Sequence, residues 1–177
     1  MNAPVQFLAR LIADTPPLEQ LVIVCGLAES LRIGARPLIR GLDAVSFAEM
    51  CAECIPGVPL DNGESGAQTF DEFDELFELL MLHAEPCDRM SFWLAAVIST
   101  AAQRDNHLWQ DMGLPSRREL SGILQKRFPR LAAANVGDMK WKKFFYRQLC
   151  QRAGVPICKS PNCADCMDYA YCFGPES

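Results

Sequence analysis

Residues 138–154 read DMKWKKFFYRQLCQRAG, and the folding of this stretch decides the class of the whole chain. Trp141, Phe144 and Phe145 recur at three- and four-residue spacing. That spacing puts them on one face of an α-helix and off the alternating faces of a strand. Asp138 is placed to cap a helix running from Met139 to Ala153, and Gly154 to end it. The three rings read as core. Lys140, Lys142, Lys143 and Arg147, set between them, read as a basic helix face.

The same period recurs upstream. Leu18 to Ile33 carries apolar residues at helical spacing behind Pro16-Pro17. Ser46 is placed to cap a short helix reaching about Cys54, closed by Ile55-Pro-Gly57. Phe73, Leu76, Phe77 and Leu80 form one apolar stripe within Phe70 to His83. Asp71, Glu72, Asp74, Glu75 and Glu78 load the first half of that helix, where acids complement the helix dipole. Pro86 separates it from a mostly apolar helix over Met90 to Gln103. Ser116-Arg-Arg-Glu119 is a capping box opening a helix to about Phe128. No strand alternation and no internal repeat is found. Residues 61–68, DNGESGAQ, are small and polar and read as a flexible connector. The expected fold is all-α: a single helical domain over residues 1–154, with a cysteine-rich, irregular tail over 155–177 packed on it.

At 177 residues, half of them hydrophobic, the chain can bury a sizeable core. No apolar run approaches the roughly 20 residues of a membrane span, so no membrane association is expected. The first residues lack a basic start followed by an apolar stretch, so a cytoplasmic location is expected. The net charge is −5, unevenly spread. Residues 114–152 hold ten lysines and arginines against Glu119 and Asp138, a balance of +8; the rest of the chain carries seven against twenty, or −13. A segment this basic points to a solvated face, to nucleic-acid contact, or to an anion or acidic partner.

Nine cysteines cannot all pair within one chain, and a reducing compartment disfavours disulfides in any case. Cys25 and Cys150 sit in apolar or helical surroundings and read as small core residues. Cys158, Cys163, Cys166 and Cys172 form a C-x4-C-x2-C-x5-C run in a tail too poor in apolar residues to make a core of its own. Such a segment takes its shape from a metal or cluster. Four thiolates suit zinc, copper(I) or an iron–sulfur cluster. The C-x4-C-x2-C portion matches the first three ligands of plant-type ferredoxins. Spacing leaves an iron–sulfur cluster, a zinc site and redox thiols all open.

The stretches NVGDMKWKKFFYRQLC (Asn135 to Cys150) and CKSPNCADCMDYAYCFGPE (Cys158 to Glu176) resemble the NifQ family of nitrogen-fixation proteins. HLWQDMGL (His107 to Leu114) and DEFDELFELLMLH (Asp71 to His83) resemble it too. The likeness spans about the last two-thirds of the chain; the first sixty or so residues carry no motif. It implies a non-enzymatic carrier of a molybdenum–iron–sulfur cluster, supplying molybdenum for iron–molybdenum cofactor assembly. It also implies Cys158, Cys163, Cys166 and Cys172 as cluster ligands. The nitrogenase cofactor-assembly scaffold and the nitrogenase iron protein are the implied partners. A donor must release its metal, so one corner of the cluster is expected to be open or weakly held. His107 and His83, the only histidines, are candidate further ligands, and both also fit plain helix-end roles. Lys140, Lys142, Lys143 and Arg147 are candidates for contact with an anion or an acidic partner.

Two other readings remain open. One is a zinc-stabilised helical module binding nucleic acid or protein through segment 114–152, though nucleic acid is not the expected partner. The other is a simple iron–sulfur electron carrier. Cys51-Ala-Glu-Cys54 is a lone C-x2-C on an expected helix and is given no role. Asp165 and Asp168 read as solvated loop carboxylates.

Overall fold

The computed structural model describes residues 3–64, 71–155, 164 and 166–176. Cys158, Cys163, Asp165 and positions 65–68 of the expected connector lie outside the described residues. Among the described residues there is no strand, and the chain is all-helical as expected.

Two helices form the centre: α2 (Leu18–Arg32), preceded by α1 (Ala3–Ala13), and α5 (Arg89–Ala102). The middle of α2 is buried without interruption from Val22 to Leu27, and eleven of the fourteen residues of α5 are buried. Gly26 lets them meet. A Cβ there would stand 2.6 Å from Val97 Cγ1, closer than any methyl can sit. Around this pair α3 (Ala44–Cys54) packs on α2 and α4 (Phe73–Leu82) on α5, with α6 (Leu108–Asp111), α7 (Arg117–Arg127) and α8 (Pro129–Ala134) following. Next, α9 (Trp141–Arg152) lies against α4, and α10 (Tyr169–Phe173) ends the chain. Trp141, Phe144 and Phe145 are all buried and pack ring to ring with centroids 5.8 to 6.0 Å apart. The opening stretch is therefore core on its aromatic side, as the spacing required.

Two caps are corrected. The cap of α3 is Asp43, whose carboxylate accepts from the Ser46 N–H at 2.7 Å; Ser46 lies within the first turn. The N-cap of α9 is Lys140, and Asp138 is spent elsewhere. Asn135 claims the turn before α9, accepting from the Met139 N–H at 2.9 Å and donating to the Met139 carbonyl at 2.8 Å. This forces Asp138 to φ +53°, which aspartate tolerates better than most residues, and turns its carboxylate to Arg117 at 2.9 Å. Ser116 does cap α7, accepting from the Arg118 N–H, but its hydroxyl also donates straight to Glu119 at 2.6 Å.

The described start of the expected connector is held in place. Asn62 is buried, exchanges hydrogen bonds with the N–H and carbonyl of Ile39, and its own carbonyl accepts from the Leu38 N–H, each at 2.9 Å. One asparagine thus does the work of a strand partner for the irregular segment between α2 and α3.

A lysine-walled cavity beside the cysteine-bearing tail

The tail segment 166–176 carries Cys166 and Cys172, both half-buried, and is fixed to the helical body at several points. The backbone N–H of Lys140, at the start of α9, donates to the carbonyl of Cys172 at 2.8 Å. Phe173 packs against the core, stacks on Tyr169 at 4.6 Å and lies over Gly137, where a Cβ would come within 2.9 Å of the ring. Glu176 places Oε1 3.9 Å from Arg117 Nε and 4.0 Å from His107 Nδ1, with only 5% of its side chain exposed.

Between these anchors opens a cavity of about 500 Å³. Lys140, Lys142 and Lys143 from the start of α9 form one wall. His107 and Gln110, on the turn into α6, form another, and Tyr171 and Glu176 come from the tail. His107 is the N-cap of α6, and its N–H donates to Gln110 Oε1 at 3.2 Å.

The floor is a buried polar network. Asp111, 2% exposed, accepts from Lys142 Nζ at 2.5 Å and from both the backbone N–H and the Nδ2 of Asn106 at 3.0 Å. Arg104 donates to the Asp111 carbonyl and to the Ser30 hydroxyl, tying α2 into the same knot. This network sets the path of residues 104–107 against α9 and consumes the charge of Lys142. Lys140 and Lys143 differ. Among the described residues neither pairs with a carboxylate, and both lie over the Tyr171 ring, at 5.8 and 4.2 Å from its centroid.

Residues drawn from separate lines of sequence reasoning thus converge. His107, Lys140, Lys142 and Lys143 share one cavity, and Cys172 joins its edge through Lys140. Arg147 lies one turn beyond Lys143 on α9 and does not line the cavity. His83, the C-cap of α4, bonds the Leu79 carbonyl through Nδ1 at 2.8 Å and is not a lining residue either. Among the described residues no three His, Cys, Asp or Glu side chains converge to hold a metal ion. Sequence reasoning missed Asp111, Tyr171 and Glu176. Tyr171 lies inside the cysteine run and Glu176 four residues past its end, but only the fold shows that both reach the cavity.

The basic segment 114–152 does not present one free face. Among the described residues at least seven of its ten cations, Arg117, Arg118, Lys126, Arg127, Arg130, Lys142 and Arg152, stand within 4.0 Å of a carboxylate.

The sequence profile of the NifQ family matches residues 22–174. A NifQ protein of Rhodobacter capsulatus is 38% identical over 166 residues, covering 90% of this chain and 91% of that protein. The Azotobacter vinelandii NifQ is 43% identical over 106 residues, 60% of this chain and 54% of its own, and that of Klebsiella pneumoniae 46% over 81 residues, 45% and 48%. No solved structure matches.

Proposed function

This chain belongs to the NifQ family of nitrogen-fixation proteins, and on that premise we propose that it carries a molybdenum–iron–sulfur cluster and donates molybdenum to assembly of the nitrogenase iron–molybdenum cofactor. The cluster is cargo. Cys158, Cys163, Cys166 and Cys172 hold it as thiolates, the soft donors that iron–sulfur clusters take. The observation that carries the reading is the docking of Cys172. The last thiol of the run is hydrogen-bonded through its carbonyl to the residue that opens the lysine wall. A negatively charged cluster held by the tail would lie against the cationic start of α9, where charge and the N-terminal helix dipole both favour it.

The protein acts by contact with partners in the cytoplasm, the cofactor-assembly scaffold and the nitrogenase iron protein, and turns over no small substrate. Binding nucleic acid through segment 114–152 is disfavoured, since most of its cations are engaged within the protein.

Anaerobic purification followed by elemental analysis tests the proposal. Brown protein with iron, molybdenum and sulfide is expected, all lost on Cys172→Ser. Colourless protein with one zinc would overturn it. Iron and sulfide without molybdenum, after growth on molybdate, would point to electron transfer instead.

A further inference from the structure

We propose that the cavity walled by Lys140, Lys143 and His107 is an oxyanion site, separate from the thiolates, that binds a tetrahedral dianion. The tetrahedral class rests on the cavity's own chemistry; naming molybdate as its occupant rests on the carrier reading above.

Lys140, Lys142 and Lys143 line the cavity, with Arg117 and Arg104 behind it, against Asp105, Asp111 and Glu176. Asp138 takes Arg117 at 2.9 Å and Glu29 adds its charge beside Arg104, so cations and carboxylates are even in number and what distinguishes them is which are paired. Asp111 is closed by Lys142 and Asn106, and Glu176 stands nearest Arg117, 3.9 Å from its Nε. Among the described residues, Lys140 and Lys143 are the lining cations that no carboxylate pairs, and their ammonium groups lie against the Tyr171 face. A ring face satisfies an ammonium in part and leaves its N–H donors to spend.

Geometry narrows the ligand class. Donors stand on more than one side: lysine ammoniums on the α9 wall, the His107 imidazole on the turn into α6. A planar carboxylate offers its acceptors on one edge and would satisfy one wall. A tetrahedral oxyanion offers them in every direction. At about 500 Å³ the space takes such an ion together with part of its water, since liquid water occupies about 30 Å³ per molecule. The Asp111–Lys142–Arg104 network holds Lys142, and with it the stretch of α9 between Lys140 and Lys143, against residues 104–111. The Lys140 N–H to Cys172 carbonyl bond places this site next to the end of the cysteine run. An oxyanion held here would wait beside the thiolates. The inference concerns binding alone and implies no change of oxidation state.

Equilibrium dialysis of the purified chain against molybdate at low ionic strength tests it. Saturable binding is expected, displaced by tungstate or sulfate and weakened by added salt. Lys140→Gln and Lys143→Gln should each weaken it roughly tenfold, the scale of one charge-assisted hydrogen bond. The Lys140→Arg, Lys143→Arg double variant keeps both charges and should bind nearly as the parent does. Replacing all four tail cysteines by serine should leave oxyanion binding intact while abolishing the cluster. Undiminished binding in both Lys140→Gln and Lys143→Gln overturns the proposal. So does loss of binding in the four-serine variant, which would put the molybdenum on the thiolates alone. Equal competition by sulfate upholds the oxyanion class and moves selectivity for molybdenum to the thiolates. Absence of cluster from the parent protein, with oxyanion binding retained, would count against the carrier reading and leave this site standing.

Discussion

The N–H of Lys140 donates to the carbonyl of Cys172 across a gap of thirty-two residues, at 2.8 Å. The first residue of the lysine wall and the last cysteine of the run are thereby fixed to each other by backbone, whatever their side chains do. Phe173 on Gly137 and Glu176 on Arg117 flank this bond on the tail side. No residue of α10 is itself buried, so the tail is held by these few contacts and not by a core of its own.

Gly137→Val should release the tail without unfolding the body. Even a single Cβ at this position would lie 2.9 Å from Phe173 Cε1, and the two further carbons of valine worsen the clash. Amide hydrogen exchange at Lys140 should rise sharply, because its acceptor leaves with Cys172. Global stability to urea should change by about 1 kcal/mol or less, as for surface substitutions away from the core. Unchanged exchange at Lys140 would show that the ring simply swings aside.

Asp111→Ala should be among the costliest single changes in the protein. It removes the carboxylate from Lys142, whose side chain is 16% exposed and keeps the Arg104 carbonyl at 2.6 Å, and it takes the acceptor from Asn106, which faces solvent. Leaving one member of a buried ion pair uncompensated costs roughly 3–5 kcal/mol. Urea unfolding should show a loss of that order, and adding Lys142→Met should recover part of it. A loss within experimental error of zero would mean that water takes the place of the carboxylate.

How much of this could be read in advance follows from the range of each interaction. Helical period and caps are local, so α2, α4, α5, α7 and α9 were legible to within a few residues. The cap of α9 was misplaced because Asn135 and Asp138 are both good turn residues and only the turn geometry shows which one bonds Met139. The six-residue α8 has no side-chain N-cap, and its opening Pro129 alone does not separate a helix start from a turn. At the site, the lysines and His107 stood out by residue type. Their meeting depends on Asp111 reaching Lys142 across thirty-one residues and on Glu176 reaching Arg117 and His107 across fifty-nine and sixty-nine, and no local pattern announces that.

Stability should fall as the pH drops through the acid range. Glu19 bridges α2 to α7, within 2.8 Å of Lys126 and 3.2 Å of Arg127. Burial pushes its carboxyl up, but the hydrogen bond and charge of Lys126, with Arg127, more than offset this and hold it below its ordinary 4.5. Asp88, the cap of α5, is held below its ordinary 3.8 first by the Ser91 N–H and then by Arg127. For both groups the folded value is depressed, so their contribution is fully present above about pH 4.5 and is lost as pH falls through the folded values. The urea midpoint should therefore decline below pH 4.5, and Glu19→Gln should flatten that decline. An equally steep fall in Glu19→Gln would assign the acid sensitivity to other carboxylates.

The cysteines should divide sharply by reactivity. Burial pushes the Cys25 and Cys51 thiols up to about 11 and the Cys54 thiol to about 12, with the charge of Glu53 adding to the last. At neutral pH a thiol titrating at 11 is ionised in about one molecule in ten thousand, and the thiolate is the form that alkylates or binds metal. All three face the core, so neither of the two routes to reaction, exposure or a lowered pKa, is open to them. Cys87, by contrast, is exposed, and Cys166 and Cys172 are half-buried. Iodoacetamide at pH 7, read by peptide mass spectrometry, should label Cys87 and, in cargo-free protein, the tail cysteines, and should spare Cys25, Cys51 and Cys54 until denaturant is added. Cys51→Ala, Cys54→Ala should then leave the iron and molybdenum content of purified protein unchanged, at a stability cost of about 1 kcal/mol per site. A drop in metal content would mean that α3 opens to present its C-x2-C pair, and the buried thiols would have to be counted among the ligands.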